Sequence, residues 1–201
     1  MNKFDETFTS LSFFVESPDY FEGGIFHEEM NDKERNKLVF KKLFPKLEKI
    51  KPFNTFEVYK KPHDFFGEEN STFYIVRDNI IEGALEIETR KTNNFCLGVW
   101  QRNVAENRGL ARQFVLNYLP KIYDSIVSGK TANKYGFSFW KKLIEQALSK
   151  NLKITVLEGS PNKESIYNST QFEDYWTRIV KDKKTDPSLI SGSDRLFKIY
   201  F

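Results

Sequence analysis

The chain has one cysteine, two histidines and no apolar run near the roughly 18 residues that cross a bilayer. The lone Cys96 excludes an internal disulfide framework and fits a reducing compartment. His27 and His63 do not stand at metal-ligand spacing, and His27-Glu28-Glu29 lacks the second histidine of a zinc-protease helix. No G-x-S-x-G turn is present, so a serine-hydrolase elbow is not indicated. Ser128-Gly129-Lys130-Thr131 has Asp124 where a phosphate-binding loop needs its first glycine. The opening MNKFDETFTS is acidic and polar where a signal peptide needs a basic end and an apolar block. Together these absences predict a cytoplasmic protein without a membrane span, metal or disulfides.

What is present is aromatic and charged. Twenty Phe, nine Tyr and three Trp among 201 residues supply enough apolar bulk for one core, and 29% charged residues suit one solvated domain. The net charge of +3 is compatible with phosphate or nucleic-acid ligands and establishes neither.

Residues 1–30, with Gly23-Gly24 and no lasting period, read as an extension packed on the domain. From Asn31 or Asp32, either able to cap, Val39, Leu43, Leu47 and Ile50 follow helical spacing, with a kink or break at Pro45. The extension and this helix occupy 1–53, and an α/β domain occupies 54–201. Thr55–Lys60 reads as a short strand and 62–70 as a loop. Ser71–Arg77 and Ile80–Thr89 read as strands joined by the tight-turn pair Asp78-Asn79. Leu85 and Ile87 alternate with Glu86 and Glu88 as on a half-buried strand, and Phe95, Leu97 and Val99 define one face of the next. Leu110, Phe114, Val115, Tyr118 and Leu119 mark a helix closed by Pro120, and Ile122–Ser128 a strand. Phe137–Lys150 is the clearest helix, with a stripe of Trp140, Leu143, Ile144, Ala147 and Leu148. Leu152–Leu157 and Arg195–Phe201 alternate as strands, with a polar insert and a short helix near 172–180 between them. The expected fold is α/β (α+β): a mixed sheet of about six or seven strands flanked by helices.

The segment Val99-Trp100-Gln101 followed by Arg108-Gly109-Leu110-Ala111-Arg112 ends a strand and opens a helix. A helix N-terminus offers unpaired N–H groups and a positive dipole end, which suit a pyrophosphate. The small Gly109 and Ala111 allow close approach, and Arg102, Arg108 and Arg112 add charge.

This order of elements, with Glu106-Asn107-Arg108-Gly109-Leu110-Ala111 at the helix start, resembles the GNAT acyltransferase superfamily and its divergent phage-encoded members. In that family an Arg/Gln-x-x-Gly-x-Gly/Ala turn holds the pyrophosphate of acyl-coenzyme A; Gly109 and Ala111 match, and Glu106 stands where a basic or amide side chain is preferred. The resemblance implies that Asn133 contacts the pantetheine arm and Tyr135 protonates the departing thiolate. It also implies that Glu86 or Glu88 is the base that deprotonates an amine, and that backbone N–H groups at Val99–Gln101 polarise the thioester. The cofactor-binding set is therefore Val99, Trp100, Gln101, Arg108, Gly109, Leu110, Ala111, Arg112 and Asn133.

Two functions follow from the resemblance. One is acyl transfer from acetyl-coenzyme A, or another acyl-coenzyme A, to an amine. The other is a catalytically inactive GNAT-fold binding protein, such as a phage factor acting on a host or virion protein in the host cytoplasm through residues 1–30 and 160–194. Nucleic-acid modification or binding is a third, resting on the mild basicity alone.

Overall fold

The computed structural model describes residues 32–65, 68–90, 93–128, 134–158, 163–170, 172 and 195–201. The expected packing of 1–30 and the helix near 172–180 lie outside these residues, apart from Phe172, which is buried in the core.

Helix α1 spans Lys33–Leu43 and is capped by Asp32, whose carboxylate accepts from the N–H groups of Glu34 and Arg35 at 2.9 and 3.0 Å. A proline cannot continue an α-helix, and Phe44–Lys46, containing Pro45, tightens into one 3-10 turn. Leu47 and Ile50, expected on the helix, lie beyond it: Glu48–Phe53 is strand β1.

The strands that follow are β2 (Phe56–Phe65), β3 (Glu68–Arg77), β4 (Ile80–Arg90) and β5 (Asn93–Gln101). Asp78 and Asn79 both adopt positive φ, 54° and 62°, the turn geometry that matches strand twist. The expected loop at 62–70 is instead the paired ends of β2 and β3, with His63 opposite Asn70. Helix α2 (Leu110–Asn117) and a 3-10 turn holding Pro120 lead to β6, which is only Ser125–Ser128 rather than the whole of 122–128. Helix α3 (Lys134–Ser149) leads to β7 (Ile154–Glu158), β8 (Lys163–Ile166, inside the expected polar insert) and β9 (Arg195–Tyr200).

These strands form one mixed sheet of nine in the order β1-β2-β3-β4-β5-β6-β9-β7-β8, larger than the six or seven expected. The first five make an antiparallel meander; β5 and β6 pair in parallel across α2; β9 lies between β6 and β7, antiparallel to both.

Alternate residues of β3 point to opposite faces, and both faces are covered. On one, Phe73, Ile75, Leu85 and Ile87 meet Leu110, Phe114 and Val115 of α2 and Trp140, Leu143, Ile144 and Ala147 of α3. On the other, Tyr74, Val76, Ala84 and Trp100 meet Val39, Phe40 and Leu43 of α1. Leu148, expected in the α3 stripe, is 46% exposed because it falls at the margin of the buried arc.

Two bulges shift the pattern. On β4, Ile75 pairs with Gly83 but Val76 with Ile81, leaving Glu82 as the extra residue. On β5, Glu86 pairs with Gly98 but Ile87 with Cys96, leaving Leu97 extra. An extra residue reverses the side-chain phase. Hence Cys96 and Val99 share the α2–α3 core, correcting the expectation that Phe95, Leu97 and Val99 form one face.

Candidate functional site

The ladder between β5 and β6 is recorded at Phe95 opposite Val127 and Cys96 opposite Ser128. The described part of β6 ends at Ser128, where its recorded pairing with β5 stops, while β5 continues to Gln101. Amides of a strand alternate sides, so some between Leu97 and Gln101 point away from β4.

The loop 102–109 turns from this strand end into α2. Gly109 is the N-cap at φ 81°, ψ 7°, a left-handed conformation that costs other L-residues about 1 kcal/mol or more. A Cβ there would lie 3.1 Å from Nη2 of Arg112.

The helix start is partly self-satisfied. Leu110 N–H donates to the Asn107 carbonyl at 3.0 Å. Ala111 N–H donates to the Gln101 side-chain oxygen at 3.1 Å, while the amide nitrogen of Gln101 donates to the Asn107 carbonyl. Gln101 thus clips the loop to the helix.

Behind the loop, Glu82 has a side chain only 5% exposed. Its carboxylate accepts from Asn107 Nδ2 at 2.7 Å, and from Arg77 and Arg102, each at 3.4 Å. Nothing in local periodicity marks Glu82, because its role follows from the bulge. The Nε atoms of Arg102 and Arg112 are buried without a hydrogen-bond partner, and burial lowers the pKa of Arg112 below the usual arginine value. Two donors without acceptors beside a helix N-terminus are chemically suited to an anion.

Of the expected residues, Gln101, Gly109, Leu110, Ala111 and Arg112 meet at this corner, with Arg108 exposed beside them. Val99 and Trp100 are buried at 6% and 2%, on opposite sheet faces, so their side chains belong to the two cores and only their backbone is available to a ligand. Glu86 and Glu88 are buried at 7% and 4%, not on the half-exposed face expected of alternation. The other face of β4 is covered as well, on the side of α1.

On that face Glu88 is paired with Arg90 and flanked by Asn70, whose buried Oδ1 has no hydrogen-bond partner. Glu86 stands in register between Thr72 on β3 and Gly98 on β5. Tyr135 lies on the first turn of α3, and Asn133 lies outside the described residues. Ser128, part of the rejected phosphate motif, is 1% exposed and accepts from the Phe197 N–H at 2.8 Å, a structural link between β6 and β9.

Cys96 is buried, and that burial, followed by the negative charge of Glu86, pushes its thiol far above the ordinary value. It is a core residue whose burial disfavours the thiolate that a nucleophile needs. No group of His, Cys, Asp and Glu suited to a metal is found among the described residues, and no helix among them is long and apolar enough to cross a membrane. No family model matches the chain, and neither a curated protein nor a solved structure is significantly similar to it.

Proposed function

We propose that the chain is a GNAT-like acyltransferase that moves an acyl group from acyl-coenzyme A to an amine. The observation that carries this reading is the Gly109 turn of α2, which follows directly on the end of β5 beyond its recorded pairing with β6. A thioester lying along β5 would meet backbone N–H donors there, and its pyrophosphate would meet the turn of Gly109, Arg108 and Arg112. The missing side chain at Gly109 and the unpartnered Nε of Arg112 fit that anion. Glu86 is preferred to Glu88 as the base, because Glu88 is held by Arg90 and Glu86 stands opposite Gly98, nearer the Gln101 end of β5. Tyr135 is assigned the proton for the departing thiolate.

The occupied Ala111 N–H favours the second reading, an inactive scaffold of the same fold, since Gln101 already fills one position a phosphate oxygen would take. Titration with acetyl-coenzyme A under a thermal-shift readout separates the two. A donor at a hundredfold excess over its dissociation constant stabilises by about 2.7 kcal/mol, a rise of several degrees for a chain of this size. Gly109→Glu should abolish that rise, and Tyr135→Phe should slow transfer while leaving it intact. No rise at millimolar donor and no acyl transfer would establish the inactive scaffold.

A further inference from the structure

Residues 32–60 form one of two strongly basic stretches of the chain, the other being 130–163. Residues 32–60 contain nine Lys or Arg and four Asp or Glu, a net of five positive charges, whereas the whole chain carries +3; the other 172 residues therefore sum to −2.

Three of the four acids in the stretch are already engaged. Asp32 caps α1, Glu34 is paired with Lys37 at 3.1 Å, and Glu57 accepts from Lys49 and from Tyr59. Lys33, Lys41, Lys42 and Lys51 are exposed and have no carboxylate partner among the described residues.

Within the stretch stands Phe44, 51% exposed although it is a large apolar side chain. Its ring is held edge-on against Phe40 at 5.5 Å and Tyr59 at 5.7 Å, and Phe40 and Tyr59 are themselves buried. An aromatic ring fixed from behind and open in front, in the 3-10 turn that follows Lys41 and Lys42 at the end of α1, has the two components of a single-strand binding surface: cations for phosphates and a platform for a base. Bases stacked inside a duplex cannot reach such a ring.

We propose that α1 and β1 form a binding surface for single-stranded nucleic acid, with Lys33, Lys41, Lys42 and Lys51 on the phosphates and Phe44 stacked on a base. This surface does not depend on acyl transfer. The test is fluorescence anisotropy of the whole protein with a labelled single-stranded oligonucleotide across salt. Four phosphate contacts at about 0.7 each predict a slope of log K against log salt of about −3, a fall of about fiftyfold between roughly 50 and 200 mM.

Lys41→Glu/Lys42→Glu should at least halve that slope and weaken binding more than tenfold at the lower salt. Phe44→Leu, which keeps an apolar side chain, should weaken binding about tenfold and leave the slope unchanged. Lys142→Glu/Lys163→Glu, at exposed sites elsewhere, should leave binding within a factor of about two of a uniform charge effect. Circular dichroism confirms that each variant is folded. Absence of binding near 50 mM salt, equal loss in the distant double variant, or binding to phosphatidylserine vesicles but not to the oligonucleotide would overturn the proposal.

Discussion

Asn36 is fully buried on α1, and its side chain reaches β4 across 45 residues of sequence. Its Nδ2 donates to the Ile81 carbonyl at 2.9 Å, and its Oδ1 accepts from the Ile81 N–H at 2.8 Å. The β4–β5 ladder stops at Gly83 opposite Gln101, and the amide of Asn36 gives Ile81 the two bonds a neighbouring strand would supply. Asn36→Ala strands both backbone groups. At about 1–3 kcal/mol for each of the two buried polar groups left unpaired, the loss should be about 2–6 kcal/mol, or about 4–24 °C in midpoint.

Asn36→Asp keeps the acceptor for the N–H but sets a carboxylate oxygen against the Ile81 carbonyl. Burial and that contact raise the folded-state pKa above the ordinary value of about 3.9. The variant is then closest to wild type below the unfolded pKa, and loses stability as pH rises through the folded pKa. Urea unfolding followed by circular dichroism, at neutral pH and near pH 4, measures both effects. A loss below about 1 kcal/mol for Asn36→Ala, or an Asn36→Asp penalty independent of pH, would refute the seam as described.

Other expectations are equally direct. Leu143→Ala should cost about 2–5 kcal/mol as a truncation at 0% exposure, while Leu148→Ala, at 46%, should cost under about 1 kcal/mol in the same melts. Cys96 should resist thiol reagents in the folded protein and react fully in denaturant, and rapid labelling of the native state would contradict its burial. The hydrogen bond from Lys49, followed by that from Tyr59, holds the Glu57 carboxyl below its ordinary pKa. The pair's contribution is therefore present above the unfolded pKa and lost as pH falls through the folded one. Lys49→Met should move the Glu57 titration upward in carbon NMR, with little effect on stability because both side chains are about half exposed, 59% and 44%.

Features set by local chemistry were legible in the sequence. Asp32 caps a helix because its carboxylate meets two N–H groups nearby; Asp78-Asn79 turns because both tolerate positive φ; the α3 stripe follows from helical period. What was not legible depends on distant partners. A single extra residue, Leu97, reverses the phase of β5, and alternation alone cannot register it. The lysine-rich β1 mimics the end of a helix, and the polar β8 has no periodicity of its own because it is exposed throughout and held by β7. At the candidate site, the Gly109 turn could be read, as it requires a glycine. The Gln101 clip, the Glu82 cluster and the burial of Glu86 and Glu88 could not, since each is a consequence of where other strands stop.

The position of β9 between β6 and β7 bears on how the chain is made. Some 67 residues separate the end of β6 at Ser128 from the start of β9 at Arg195. At about 5–20 residues per second, a ribosome takes roughly 3–13 s to supply that stretch. Over that interval the antiparallel meander can assemble outside the tunnel, while the β6 edge that β9 will occupy waits uncovered, joined by the β7 edge once Glu158 has been made. Waiting edges of this kind are templates for another chain. A nascent polypeptide stalled in the interval would present the β6 edge, and after Glu158 the β7 edge too, making slow codons within it a hazard for aggregation.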